Sequence, residues 1–168
     1  MRTPYSPSRR RRILCVYPRY ARSFGTFHHA YPLFGSRVRA FMPPQGLLLI
    51  AAYMPEAWPV RFVDENIRKA TAAEFAWADV VLVSGMHVQA RQVHAIAERA
   101  HAAGKVVVLG GPSASASPEM YPDIDYVHVG EIGDATDQLI ARLDESVARP
   151  PAPMRFETKE RLPLQDFP

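Results

Sequence analysis

The residues of this chain that could meet a ligand fall in five short stretches: PRYARSFG (18–25), ENIRK (65–69), SGMHVQ (84–89), GGPSAS (110–115) and GEIGD (130–134). Glycine recurs in them at Gly85, at the pair Gly110 and Gly111, and at Gly130. A residue without Cβ lets a ligand lie against the backbone itself. Ser113, Ser115 and Ser117 place small hydroxyl donors beside the glycine pair. The candidate carboxylates at strand ends are Asp64, Glu65 and Glu131, with no nucleophile, acid pair or metal triad around them. The pattern is that of a site that makes room for a small molecule.

Other reactive side chains follow the same reading. His87, His94 and His101 recur every seven residues, which puts them near one side of a helix. A metal-binding helix uses i, i+4 spacing, so they are expected to form a polar flank, with His87 alone near the ligand, and no metal site is expected. Cys15 is the single cysteine and lies in the apolar run ILCVY. It is expected to be a buried core thiol, and one thiol cannot form an internal disulfide or hold an iron–sulfur cluster.

The elements that must position these stretches alternate. ILCVYP (13–18), VRFVDEN (60–66), DVVLVSG (79–85), VVVLGG (106–111) and YVHVG (126–130) carry the short apolar runs of strands. Between them the sequence predicts helices over PPQGLLLIAAYMP (43–55), TAAEFAWA (71–78) and 87–104, and a last helix begins at Gly133. The loop 19–41, aromatic and basic, is too long for an ordinary connection. Such alternation gives right-handed crossovers and a parallel sheet with helices on both faces. The expected fold is α/β: a doubly wound, five-stranded sheet of order 2-1-3-4-5 spanning residues 13–146. Its ligand lies outside the carboxyl ends of the strands.

The flanks differ in character. Residues 1–12 carry five of the chain's 20 basic residues, and without them the count is 15 basic against 17 acidic. They are expected to be a disordered basic arm, leaving a nearly neutral domain with no specific nucleic-acid role. Residues 147–168 are proline-rich and are expected to be a linker. No run reaches the roughly 18 apolar residues of a spanning helix, and the first residues have no apolar signal region, so a cytoplasmic chain away from membranes is expected.

Several ligands are excluded. After the first strand there is no G-x-G-x-x-G for a dinucleotide, and no G-x-x-x-x-G-K-[ST] for a nucleotide triphosphate. A phospho-receiver would need acidic residues where this chain has Tyr17, Pro18 and Arg19.

PPQGLLLIAAYM, VVLVSGMHVQ, VVLGGPSAS and DIDYVHVGEIGD, in this order, resemble the N-terminal cobalamin-binding domain of the cobalamin-dependent radical SAM enzymes. The similarity covers residues 12–146, and LPLQDFP (162–168) resembles the segment preceding the radical SAM barrel. The resemblance implies a flavodoxin-like fold that binds cobalamin (vitamin B12) with the nucleotide tail pushed into a slot between strands. It implies cofactor contacts from Pro44 and Gln45, from Ser84, Gly85, Met86 and His87, from Gly110, Gly111, Pro112 and Ser113, and from Gly130 and Glu131.

One departure sets the cobalt chemistry that the resemblance implies. Mutase-type domains carry D-x-H-x-x-G after the first strand, with a histidine that ligates cobalt; here that place reads PRYARSFG. The implied state is base-off cobalamin without that histidine, although His28 and His29, further along the loop, are competent ligand types. The family's radical chemistry on S-adenosylmethionine needs three thiolates for its [4Fe–4S] cluster, which Cys15 cannot supply. The chain is therefore expected to be a cobalamin-binding module, not itself catalytic, that works with a radical SAM domain or protein of methyltransferase type. The alternative is a free-standing cobalamin-binding regulator or carrier that docks on a partner.

Overall fold

The computed structural model describes residues 3–21, 30, 33 and 43–166. His28, His29 and most of the loop 19–41 lie outside the described residues.

Six strands form one parallel sheet: β1 (Ile13–Tyr17), β2 (Val60–Asp64), β3 (Val80–Ser84), β4 (Val106–Gly110), β5 (Tyr126–Val129) and β6 (Met154–Glu157), in the order β2-β1-β3-β4-β5-β6. The flavodoxin-like order expected for five strands is present, and a sixth extends it. β6 lies within the proline-rich stretch expected to be a linker. Of its four residues only Phe156 is buried, edge-on to the Tyr126 ring. So short a half-exposed edge strand leaves no alternation long enough to be seen in sequence.

Alternation along the buried strands decides which helix each side chain meets. Ile13, Cys15, Leu82, Val108 and Tyr126 face α1 (Gln45–Tyr53) and α5 (Asp134–Glu145), which bring Leu47, Tyr53, Leu139, Ile140 and Leu143. Leu14, Val16, Val83, Leu109 and Val127 face α2 (Ala72–Trp77), α3 (Ala90–Ala102) and α4 (Pro112–Ala116). Cys15 has no exposed surface, and burial pushes its thiol up to about 12, which makes it a core residue without reactivity.

The helices start and stop as their sequences dictate. Thr71 and Glu74 form a capping box at α2. The predicted helix over 87–104 begins as a 3₁₀ turn at His87–Gln89 and continues as α3, whose buried face is Val93, Ile96, Ala97 and Ala100.

From Thr3 onward the N-terminal arm lies against α5, a placement its charge did not suggest. Arg9 and Arg11 donate to the carbonyls of Leu143, Asp144 and Glu145, the unpaired acceptors at the end of α5. Arg12 pairs with Asp79 at 2.8 Å. The buried Asp144 carboxylate accepts from the Ser8 amide and hydroxyl, the Arg9 amide and the Tyr5 hydroxyl. These arginines thus cap a helix of their own chain.

Burial pushes the Asp144 carboxyl up, but its donors outweigh that and hold it below its ordinary value. A carboxyl depressed in the folded state contributes stability that is complete above its unfolded value and is lost as pH falls below it, from roughly pH 4 downward. Asp144→Ala is expected to lower the melting temperature, since it orphans several donors at about 1–3 kcal/mol for the group. It should also expose Arg9–Arg12 to trypsin at neutral pH; an arm that stays protected in this variant would show that Asp144 is not its anchor.

Candidate functional site

The last residues of four neighbouring strands on the α1/α5 face are Tyr17, Ser84, Gly110 and His128. Earlier in the same strands that face carries Leu82, Val108 and Tyr126. The drop from Leu82 to Ser84 and from Val108 to Gly110 leaves the sheet surface unfilled near its carboxyl end. A cavity of about 500 Å³ opens there, roofed by Leu47 and Ile50 of α1 and by Leu139 and Leu143 of α5. This lies within the several-hundred-Å³ range of small-molecule sites.

Ten of the twelve residues that sequence singled out for the cofactor line this cavity: Pro44, Gln45, Ser84, Gly85, Met86, Gly110, Gly111, Pro112, Gly130 and Glu131. The other two lie off it. Ser113, in α4, is fully buried, bonded to Tyr121 and, at 2.9 Å, to Nδ1 of His87. This network ties α4 to the start of α3. His94 bonds Asp123 at 2.9 Å and His101 bonds Asp125 at 2.8 Å, so each histidine of the seven-residue series has its own partner. Among the described residues no three His, Cys, Asp or Glu side chains gather as a metal site.

The glycines reach the cavity for different reasons. A Cβ on Gly110 would come no closer than 3.7 Å to a neighbour, and one on Gly46 would meet nothing within 4 Å, so both leave space. A Cβ on Gly85 would stand 3.0 Å from Val93 Cγ2, which is helix packing. Gly111 and Gly130 have φ of +88° and +98°. There the turn geometry itself demands glycine.

Sequence reading missed several residues in and around the cavity. His128 shares a face with Tyr126 by simple alternation, yet YVHV reads as a plain core strand. Its Nε2 bonds Thr136 Oγ1 at 2.9 Å, and burial pushes its pKa down, so the imidazole is neutral at neutral pH. Gln89, with no exposed surface, takes the Met86 amide on Oε1 at 2.9 Å and gives Nε2 to the Pro18 carbonyl. It thereby ties the ends of β1 and β3 together at the cavity mouth. Nearby, the Tyr20 hydroxyl stands 2.7 Å from that of Tyr17 and 3.4 Å from Met86 Sδ. Burial, with the Tyr20 hydroxyl beside it, raises the Tyr17 phenol well above its ordinary value.

The walls are apolar, the polar groups sit at the mouth and floor, and the cavity opens at the carboxyl edge of a parallel sheet. This suits a flat aromatic group on a polar tether. The sequence pattern of the B12 binding domain matches residues 32–140. The chain belongs to the B12-binding domain family. Cobalamin is accordingly the cofactor of this domain.

Named relatives share the domain. The chain is 63% identical over 158 residues to the hopanoid C-2 methylase of Rhodopseudomonas palustris, covering 94% of this chain and 30% of that protein. It is 38% identical over 108 residues to an uncharacterized methyltransferase of Synechocystis, covering 64% and 20%. It is 29% identical over 101 residues to the bacteriochlorophyllide d C-12(1)-methyltransferase of Chlorobaculum tepidum, covering 57% and 21%. The chain thus spans less than a third of the length of each. No helix among the described residues is long and apolar enough to cross a membrane.

Proposed function

We propose that this chain holds cobalamin base-off for a radical SAM methyltransferase, with the nucleotide tail in the cavity between the sheet and helices α1 and α5. The observation that carries this reading is the shrinkage of the sheet surface at Ser84 and Gly110 beneath an apolar roof. The slot expected between strands is instead a space between the sheet and two helices. Leu47, Ile50, Leu139 and Leu143 would enclose the benzimidazole, and Ser84, Ser115 and His128, polar residues of the lining, would meet its sugar and phosphate.

When bound, cobalamin supplies a cobalt centre that can carry a methyl group. The chain's own residues shape the pocket and exclude water from the tail. The place of a ligating histidine after β1 is taken by Arg19 and Tyr20, and the Tyr20 hydroxyl is already engaged with Tyr17 and Met86. This supports a lower cobalt face without a protein imidazole. A single cysteine leaves the iron–sulfur cluster to a radical SAM domain or protein acting with this one. The names of the relatives favour methyl transfer, and the 63% identity favours a hopanoid as the substrate of the whole enzyme.

The test is direct. Purified protein is incubated with hydroxocobalamin, desalted, and its visible spectrum recorded. One cobalamin retained per chain with a base-off spectrum is expected; a colourless protein, or retained cobalamin in the base-on form, would overturn this mode of binding.

A further inference from the structure

Beyond β6 the chain turns back across the carboxyl end of β5 and lies on the β5–α5 turn. The Thr158 amide donates to Val129 O at 3.0 Å, and the Leu162 amide to Ile132 O at 2.8 Å. The Thr158 hydroxyl donates to Glu131 O at 2.6 Å. Asp134 Oδ1 accepts the amides of Lys159 and Glu160 at 3.0 and 3.1 Å, while the Asp134 amide donates to Glu160 O at 3.0 Å. The Glu160 amide, with that of Lys159, holds the Asp134 carboxyl below its ordinary value. Gly133 and Arg161 form an antiparallel bridge.

The turn gripped in this way is a wall of the cavity, through Gly130, Glu131 and Ile132. The grip also reaches the floor. The Gly133 amide donates to Thr136 Oγ1 at 3.2 Å, and the same oxygen stands 2.9 Å from His128 Nε2. Gly133 itself records how closely the segment lies, because a Cβ there would fall 2.1 Å from Glu160 O. Its φ of 170° is extended backbone that any residue adopts, so the approaching segment alone requires glycine.

We propose that residues 158–162 are a strap that sets one wall of the cofactor cavity, so that docking of the strap and occupancy of the cavity stabilise each other. The coupling rests on the reading of this cavity as the cobalamin site. Because coupling between two equilibria is reciprocal, a partner that pulls on the chain beyond Leu162 loosens the cofactor. A bound cofactor likewise tightens the strap.

Gly133→Ala separates the strap from the lining, since it adds one methyl against Glu160 O without changing any residue that faces the cavity. Asp134→Ala is the second variant, removing two strap bonds with no intruding atom. Each is titrated with hydroxocobalamin by absorbance, and amide hydrogen exchange is followed with and without cobalamin. The expected results are fast exchange at 158–162 in both variants, affinity about tenfold weaker, within the usual range of coupling between sites, and slower exchange of those amides when the unaltered chain binds cobalamin. A variant with a freed strap and unchanged affinity would overturn the coupling alone. An unaltered chain that takes up no cobalamin would remove the ligand reading and the coupling with it. If Gly133→Ala does not fold by circular dichroism, Asp134→Ala decides.

Discussion

Gly111→Val is expected to abolish retention of cobalamin while leaving far-ultraviolet circular dichroism close to that of the unaltered chain. Gly111 joins β4 to α4 with φ 88° and ψ −173°, a region essentially reserved for glycine. Forcing a side chain into it costs about 1–3 kcal/mol. The Cβ would also stand 2.3 Å from Ser84 Oγ, so either the Ser84 side chain or the turn must move. Both line the cavity, and valine adds two further methyl groups at its mouth. Gly104→Ala is the control: its φ is +69° with nothing within 4 Å, and it ends α3 away from the cavity. It should lower the melting temperature by a few degrees and leave cobalamin uptake unchanged. Undiminished binding by Gly111→Val would remove the β4–α4 turn from the cofactor's surroundings.

The strands and their order were legible because each is a short apolar run followed by glycine or a polar turn, as in VVVLGGPSAS. The cavity was legible in part for the same reason: small residues at strand ends break the apolar pattern where a parallel sheet presents its ligand. What local pattern could not convey is pairing at long range. Arg9 and Arg11 looked like part of a solvated charge run, because their acceptors are carbonyls some 130 residues away at the end of α5. β6 has one inward side chain and depends on its backbone bonds to β5. Gly130 looked like a ligand-facing glycine and does line the cavity, but it also abuts the strap at Thr158, and Gly133, which looked only like a helix start, abuts it at Glu160. His87 was placed near the ligand by its position after β3, yet Ser113 turns it toward α4. Each of these differences is a contact between distant segments, and none leaves a periodicity behind.

Gln89 belongs to the same class, and its replacement by leucine is the other large expected effect. Leucine fills most of the volume, so the change isolates the amide. The Pro18 carbonyl and the Met86 amide each lose a buried partner, at about 1–3 kcal/mol apiece. A drop in melting temperature of roughly 5–15 °C follows for a chain of this size. The functional consequence comes from where those two groups sit. Pro18 follows β1 and leads into the residues that replace a cobalt-ligating histidine, while Met86 follows β3 by two residues and lines the cavity. With the tie gone the two strand ends are free to separate, and Tyr20 loses its fixed place against Met86 Sδ. Gln89→Leu should therefore bind hydroxocobalamin at least tenfold more weakly at a temperature where it is still folded. Gln89→Glu should recover part of that affinity at low pH, where its protonated carboxyl can again donate to the Pro18 carbonyl and accept from the Met86 amide. Titrations across pH on the two variants distinguish the roles: equal weakening at every pH would mean that the side chain acts only as core packing, whereas affinity regained on acidification in the glutamate variant alone identifies the hydrogen-bonded tie as what holds the mouth in shape.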